Sequence, residues 1–444
     1  MKKSDLIAKA AKRPKLTRRE AARGVEATLD NRKPQTGDDK AIHADGLGRS
    51  DLRPQRAGFP PPVGADKAAK RKGTRKAAKG PHAESNEQEH TENHSGGEME
   101  ERHEEEQNDK EPTGGEGKAL GLDVGTSRIV LASGQADNIK TSTELNAFIS
   151  IPYSKFTESV LKKNKVHYHR DGDEWIQVYG NEAGQFANVF NTEVRRPMMG
   201  GILNPAEEQG LALLNALINQ LLRKSKHNEE MRFSVPGPSR DGGTADLVYH
   251  EAVIKNMLHA YGYNAKGVNE GLAVVFAEME RDNFSGIGIS CGGGMCNVCL
   301  AFMSLPVISF SISKAGDYID QSVASVTGEK ATRIRLIKEE GLDLSQPPKN
   351  KYENALHVYY DDVILSLVEA LRGALVETRN VPKLDRAIPI VLSGGTSKPK
   401  GFLEKFRDAL EQDGFPLEIS EIRMAEDPLT ATARGCLIAA LYDA

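Results

Sequence analysis

The sequence predicts an α/β fold with covered sheets over residues 119–444, preceded by a long disordered N-terminal extension. Three observations carry that prediction. From Ala119 onward, short apolar strands alternate with helical patterns, as in layered α/β architectures. The run "AIPIVLSGG" (387–395) is continuously apolar, as a strand buried on both faces is. Residues 31–118, by contrast, are rich in Gly, Pro, Lys, Glu, Gln, Asn and His. Between Ala41 and Lys118 aliphatic residues are few and Phe59 is the lone aromatic. Such a segment cannot bury enough apolar surface to offset the entropy of ordering it.

The first thirty residues have a different texture. "KSDLIAKAAKR" puts Leu6, Ile7, Ala10 and Ala11 on one helical face. "LTRREAARGVEATLD" opens with Thr17 followed three residues later by Glu20, a capping box. Ala21, Ala22, Val25 and Leu29 then recur at helical spacing. Two short amphipathic helices are expected over residues 1–30, and a linker without structure over 31–118.

Charge divides along the same lines. The 444 residues carry a formal net charge of -4. Residues 1–80 hold 22 Lys and Arg against 9 Asp and Glu, and residues 81–118 hold 3 against 13. The remaining 34 against 41 is mild for the length of 119–444. Blocks of opposite sign at one end mark tails rather than a packed domain. A basic stretch of this kind suits a polyanion, either DNA or an anionic membrane surface.

No apolar run reaches the ~18 residues a membrane-spanning helix needs, so no transmembrane segment is expected. "MKKSDLIAKAAKRPKL" lacks the apolar centre of a signal peptide. Four cysteines in this length make no disulfide framework. A cytoplasmic protein is the expectation.

Within 119–444 the strands and helices follow in order. "ALGLDVG" and "IVLASG" read as strands, "GLALLNALINQLL" as a helix, and "MRFSVPGP" as a strand. "YHEAVIKNMLHAYGY" and "GLAVVFAEM" read as helices, and "GIGISCGGG" and "VCLAFM" as strands. "VILSLVEALRGALVET" is a helix before the buried strand "AIPIVLSGG". "YHRDGDEWIQVYG", which holds Trp175, reads as a hairpin.

One feature recurs: an apolar strand that ends in a small-residue turn, at "GLDVGTSR", "GISCGGGMCNV" and "IVLSGGTSK". Such a turn exposes backbone N–H groups at a strand end, and glycine lets a phosphate approach them. A single turn of this kind is mostly just a turn. Three along one α/β chain point to a phosphate cradle. There is no Walker A string, and no G-x-G-x-x-G opens a helix after the first strand. The cradle must instead be two opposing hairpin-like turns with nucleotide between them.

Cys291, Cys296 and Cys299 have the spacing C-x₄-C-x₂-C, with no fourth cysteine and no histidine close behind. Cys296 and Cys299 fall in an expected strand, where a separation of three puts them on opposite faces. They read as small buried hydrophobes rather than metal ligands.

These strings carry a resemblance. Residues 119–444 resemble the superfamily of actin, sugar kinases and heat-shock-chaperone ATPases. "GLDVGTSRIVLA" resembles its first phosphate motif and "GISCGGGMCNV" its second. "VNEGLAVVFAEM" resembles the connecting motif, and "PIVLSGGTSKPKGF" the adenosine motif. Within the superfamily the likeness is greatest to the bacterial actin MreB, through "YGNEAGQFANVFNTEVRRPMMGGIL", "SKAGDYIDQSV" and "AEDPLTATARG". It runs through nearly all of 119–444 in order. Separately, "KSDLI" and "LTRREAARGVEATLD" resemble the opening two helices of the bacterial histone-like HU family. That likeness stops after about thirty residues.

The resemblance implies a two-lobed actin-like ATPase fold that binds ATP and Mg²⁺ and assembles with itself into filaments. It implies that Asp123 holds the metal, largely through water. It places Gly125, Thr126, Ser127, Gly292, Gly293 and Gly294 at the phosphates, and Gly394, Gly395 and Thr396 at the adenosine. Arg335, in "TGEKATRIRLIKEEG", falls on the helix that borders adenine and ribose. Glu270 matches the glutamate that orients the attacking water.

The chain also departs from the family pattern. Gly271 stands where proline usually follows that glutamate, which implies a looser helix start. Ser290 stands where an acid usually precedes the second phosphate turn, and Met295 and Asn297 replace a threonine and an acid. Slow hydrolysis is therefore expected. The alternative is a nucleotide-binding scaffold that barely hydrolyses ATP and is recruited through its N-terminal tail. A chaperone ATPase would call for a further substrate-binding domain, and a sugar kinase for a catalytic aspartate that is not evident.

Overall fold

The structure, a computed structural model, describes residues 119–443 apart from 191, 241–245, 379–385 and 413. The expected helices at 1–30 and the linker at 31–118 lie outside the described residues. The described residues fall within one contact-defined unit.

The first lobe opens with β1 (Ala119–Val124), β2 (Arg128–Gln135) and β3 (Asn138–Leu145), an antiparallel meander. A small three-stranded sheet follows, from β4 (Phe148–Pro152), β5 (Tyr168–Asp171) and β6 (Trp175–Tyr179). Helices α1 (Lys155–Lys163) and α2 (Asn181–Phe190) accompany it. The hairpin read around Trp175 is the β5–β6 pair. The short strands β7 (Met198–Met199) and β8 (Ile202–Leu203) precede α3 (Gly210–Leu221). Then β9 (Glu230–Val235), α4 (Leu247–Ala260) and β10 (Asn264–Asn269) extend the main sheet by a parallel crossover. The main sheet is ordered β10-β9-β1-β2-β3.

The second lobe repeats that plan. After α5 (Glu270–Glu278), the strands β11 (Gly286–Cys291), β12 (Cys296–Phe302) and β13 (Leu305–Ile312) form another antiparallel meander. Helices α6 (Gly316–Thr327), α7 (Ala331–Glu339) and α8 (Lys351–Glu377) lead to β14 (Ile388–Ser393). α9 (Phe402–Glu411) leads to β15 (Ile419–Met424), and α10 (Ala431–Asp443) follows. The sheet order is β13-β12-β11-β14-β15, the same arrangement as in the first lobe. Every residue of β14 is buried, as the apolar run predicts. Cys296 packs in the cluster on the α8 side of the second sheet and Cys299 in the cluster with α5, so they do face opposite ways.

Two helices exchange places between the lobes. α5 follows the first sheet in the chain but packs on β11 and β12. α10 follows the second sheet but packs on β1 and β9, and the two helices lie against each other. α10 carries apolar residues all round because it touches a sheet on one side and α5 on the other. Glycine permits the closeness. A Cβ at Gly435 in α10 would overlap the Ala273 carbonyl of α5. Gly121 in β1 takes the backbone of α10 at Ala433 and Leu437, and Gly288 in β11 takes that of α5 at Gly271.

A second junction joins lobe to lobe beside β13. The chain after β9 bridges to it in parallel at Ser239 and Ser311. Arg240 N–H donates to Ser311 O at 2.9 Å, and Ser311 N–H to Pro238 O at 2.8 Å.

Candidate nucleotide cleft

The β1–β2 turn and the β11–β12 turn are both tight, and they meet. Gly125 N–H donates to Arg128 O at 3.0 Å, and Gly292 N–H to Met295 O at 2.9 Å. Thr126 Oγ1 accepts from Gly201 N–H at 3.0 Å. A Cβ at Gly293 would collide with Ser127 Oγ, and one at Gly294 with Thr126 Oγ1 and Gly201 N. Only glycine lets the turns approach this closely. The second turn is also held from behind. Gly292 O accepts from Thr396 Oγ1 at 2.7 Å and from Gly316 N–H at 3.2 Å. Gly293 O accepts from Asp317 N–H at 2.7 Å.

Below the turns lie two half-buried carboxylates from different elements. Asp123, in β1, accepts from Ser234 Oγ at 2.7 Å, and that oxygen in turn accepts Val124 N–H at 2.9 Å. Burial pushes Asp123 up to about 6, with the Ser234 hydroxyl pulling the other way. Glu270 is the first residue of α5, and it accepts from Ser290 Oγ at 3.2 Å. Burial, and then the charge of Asp123, push Glu270 up to about 8 against the Ser290 and Asn297 donors. Two neighbouring, half-buried acids that each resist ionising make a site where a cation would relieve both.

Gly271 proves to be a packing residue. A Cβ there would lie 2.6 Å from Cys299 N and 2.8 Å from Val298 C. The start of α5 is fixed instead by Asn269, whose side chain accepts Leu272 N–H at 3.2 Å. The looser start implied by the missing proline is not what the structure shows.

The residues that the resemblance assigns to nucleotide, metal and catalysis all line one cleft of about 700 Å³ between the lobes. It brings together Asp123, Gly125, Thr126, Ser127, Glu270 and Ser290 with Gly292, Gly293 and Gly294. Gly394, Gly395, Thr396 and Arg335 also line it, with Leu342 and Leu429. Gly394 has φ +91° and packs on the backbone of Cys291. Arg335, on α7, is not a free cation: its Nη2 reaches Asp317 at 3.0 Å and its Nε reaches Asp320 at 3.0 Å. Lys338 adds a further ion pair to Asp320 at 2.7 Å. The volume falls in the range of small-molecule sites.

Sequence reasoning missed several participants. Ser234 is a lone hydroxyl near the end of the strand "MRFSV", a signal that could have been read as a partner for Asp123. Asn146, whose Nδ2 donates to Gly125 O at 2.9 Å, carries no such signal. Asp317 and Arg196 stand in strings quoted for the resemblance, but their pairing needs the fold.

The family model for Volactin matches residues 119–440. This chain belongs to the Volactin family. Among solved structures, this Volactin-family chain is similar to one described as a MamK double helical filament, with 17% identity and a TM-score of 0.56. That match covers 73% of this chain and 98% of MamK. It is also similar to MreB5 of Spiroplasma citri bound to ADP, at 16% identity and a TM-score of 0.45, covering 71% of this chain and 94% of that one. The ethanolamine utilization protein EutJ from Carboxydothermus hydrogenoformans aligns at 14% identity and a TM-score of 0.43, covering 72% and 88%. No curated protein sequence matches the chain. The fold is therefore actin-like. Among the described residues no helix is long and apolar enough to cross a membrane.

Proposed function

We propose that the cleft binds ATP with magnesium, hydrolyses it slowly, and couples its occupancy to assembly of the chain into cytoplasmic filaments. The observation that supports this best is the meeting of two glycine turns, one from each lobe, over a pair of half-buried carboxylates. The residues present fit both groups. The turns offer backbone N–H groups to phosphate oxygens. Asp123 would hold magnesium, with Glu270 close by, since this ion takes one or two carboxylates and keeps several waters. The ion would supply charge to neutralise phosphate oxygens.

The chain's own residues have separable roles. Ser234 fixes the Asp123 carboxylate, and Ser290 fixes Glu270. Glu270 would orient the attacking water and take up its proton, which needs the carboxylate ionised. Gly394, Gly395, Thr396 and Arg335 would border the adenosine. A ligand that touches both lobes favours the closed arrangement, and only such differential binding shifts a population. That is how nucleotide would govern assembly.

Ser290 favours a second reading, a scaffold that binds nucleotide and barely turns it over. A serine fixes Glu270 but adds no negative charge to hold a metal or a water. Electrostatic positioning by one group is worth a factor of about 10²–10³ in rate. Single-turnover phosphate release separates the readings. Wild type should hydrolyse slowly, Glu270→Ala more slowly still, and Ser290→Asp faster with magnesium present. Equal rates for wild type and Glu270→Ala would remove Glu270 from its role. Negative-stain microscopy with and without ATP and magnesium tests assembly.

The basic residues 1–80 would bind DNA or an anionic membrane surface, with 81–118 as an internal competitor. Counterion release makes such binding weaken steeply with salt. Equal DNA affinity at about 50 and 200 mM salt would exclude it.

A further inference from the structure

The segment from Arg196 to Leu203 runs beside the cleft and touches both phosphate turns, the second through Gly200 and Gly201 against Gly294. Gly201 N–H holds Thr126 of the first turn. At its other end Arg196, from the first lobe, donates through Nη1 to both oxygens of Asp317 on α6, at 2.8 and 2.9 Å. Asp317 in turn holds the second turn through its backbone N–H to Gly293 O. The ion pair is well shielded, with 12% of the Arg196 side chain and 20% of that of Asp317 exposed. Water screens such a pair much less than one on the surface.

We propose that Arg196 is a positioning residue that keeps the two phosphate turns together, and so sets how long a nucleotide stays bound. The proposal rests on the nucleotide reading of the cleft. Asp317 lines the cleft and Arg196 does not appear among its walls, so Arg196 acts through its partner. The arrangement also allows the lobe-to-lobe tie to be cut alone. Asp317 keeps a second guanidinium, Arg335 of its own lobe, at 3.0 Å. Replacing Arg196 therefore leaves the start of α6 paired and the direct contacts of the turns in place, and removes only the ion pair between the lobes. A ligand held by two lobes leaves when they part, so the loss falls on departure. Arrival depends on turns and pocket walls that remain.

The test uses the full chain and a fluorescent ATP analogue with magnesium in stopped flow, with Trp175, the only tryptophan, as energy donor. Arg196→Met should speed dissociation about tenfold, within the usual span of coupling between sites, and leave association within about twofold. Arg196→Lys, which keeps charge but not the fork, should fall between. Hydrogen exchange without nucleotide gives an independent readout. Arg196→Met should raise exchange at 198–203 and 292–296 while the buried residues of α8 stay protected. A dissociation rate within twofold of wild type, or a loss confined to association, overturns the proposal. If wild type binds no nucleotide, the reading of the cleft fails, and unchanged exchange at those two segments sinks the tie as well.

Discussion

His250 shows what a single buried side chain can impose on the whole molecule. It lies in α4 with 1% of its surface exposed, and neither ring nitrogen has a hydrogen-bond partner among the described residues. Burial lowers it from 6.5 to about 4. Between those values the unfolded chain binds a proton that the folded one refuses, so stability falls as pH drops from about 6.5 to 4 and changes no further below. A gap of this size is worth roughly 3 kcal/mol at full extent. Asp123 and Glu270 act the other way, since their raised values make the folded chain hold protons longer. The difference between wild type and His250→Leu isolates the histidine. Denaturant midpoints for that variant should lose the destabilisation wild type suffers between pH 6.5 and 4. At this scale the sequence was only partly readable. Asp123 was named by the resemblance, and Gly125 and Gly292–Gly294 stood out as turns. His250, Asn146 and the Arg196–Asp317 pair did not, because each draws its character from elements far away in the chain.

At the scale of elements, the strands and helices followed from pattern, and their exchange between lobes did not. Apolar runs place β1, β11 and β14, and the helical periodicity places α3, α4 and α8. Nothing in "GLAVVFAEM" or "ATARGCLIAAL" says that each helix docks on the other lobe's sheet, because apolar residues all round look alike whatever they meet. Glycine was the available signal. Gly271 read as a weak helix start, whereas it admits the backbone of β12. Gly435 is the sharpest case, since α5 passes where its side chain would be. Gly435→Ala should cost about 3 kcal/mol or more, at the upper end of overpacking effects. Gly184, inside α2, offers the contrast: a Cβ there meets only Leu145 Cδ2 at 3.6 Å. Gly184→Ala should stabilise by about 0.5–1 kcal/mol through helix propensity and a less flexible unfolded chain. Thermal melts of the two variants check both signs.

For the whole molecule, the decisive division lies at Ala119. Every turn of the cleft and both carboxylates come after it, and the family match begins there. Removing residues 1–118 should leave a cooperatively folding core that binds nucleotide as the full chain does. Calorimetry and fluorescent-nucleotide titration check this, and a broad, non-cooperative melt would refute it. The exchange of α5 and α10 also has a consequence for how the chain is made. The face of β1 around Gly121 is finished only when Ala433 and Leu437 arrive, roughly 170 residues after the first sheet has left the ribosome. At about 5–20 residues per second, that is on the order of 10–30 s with an uncovered apolar face. A nascent chain in that interval is a ready client for chaperones. A ribosome stalled late in that interval would display a finished sheet whose own covering helix has yet to be made.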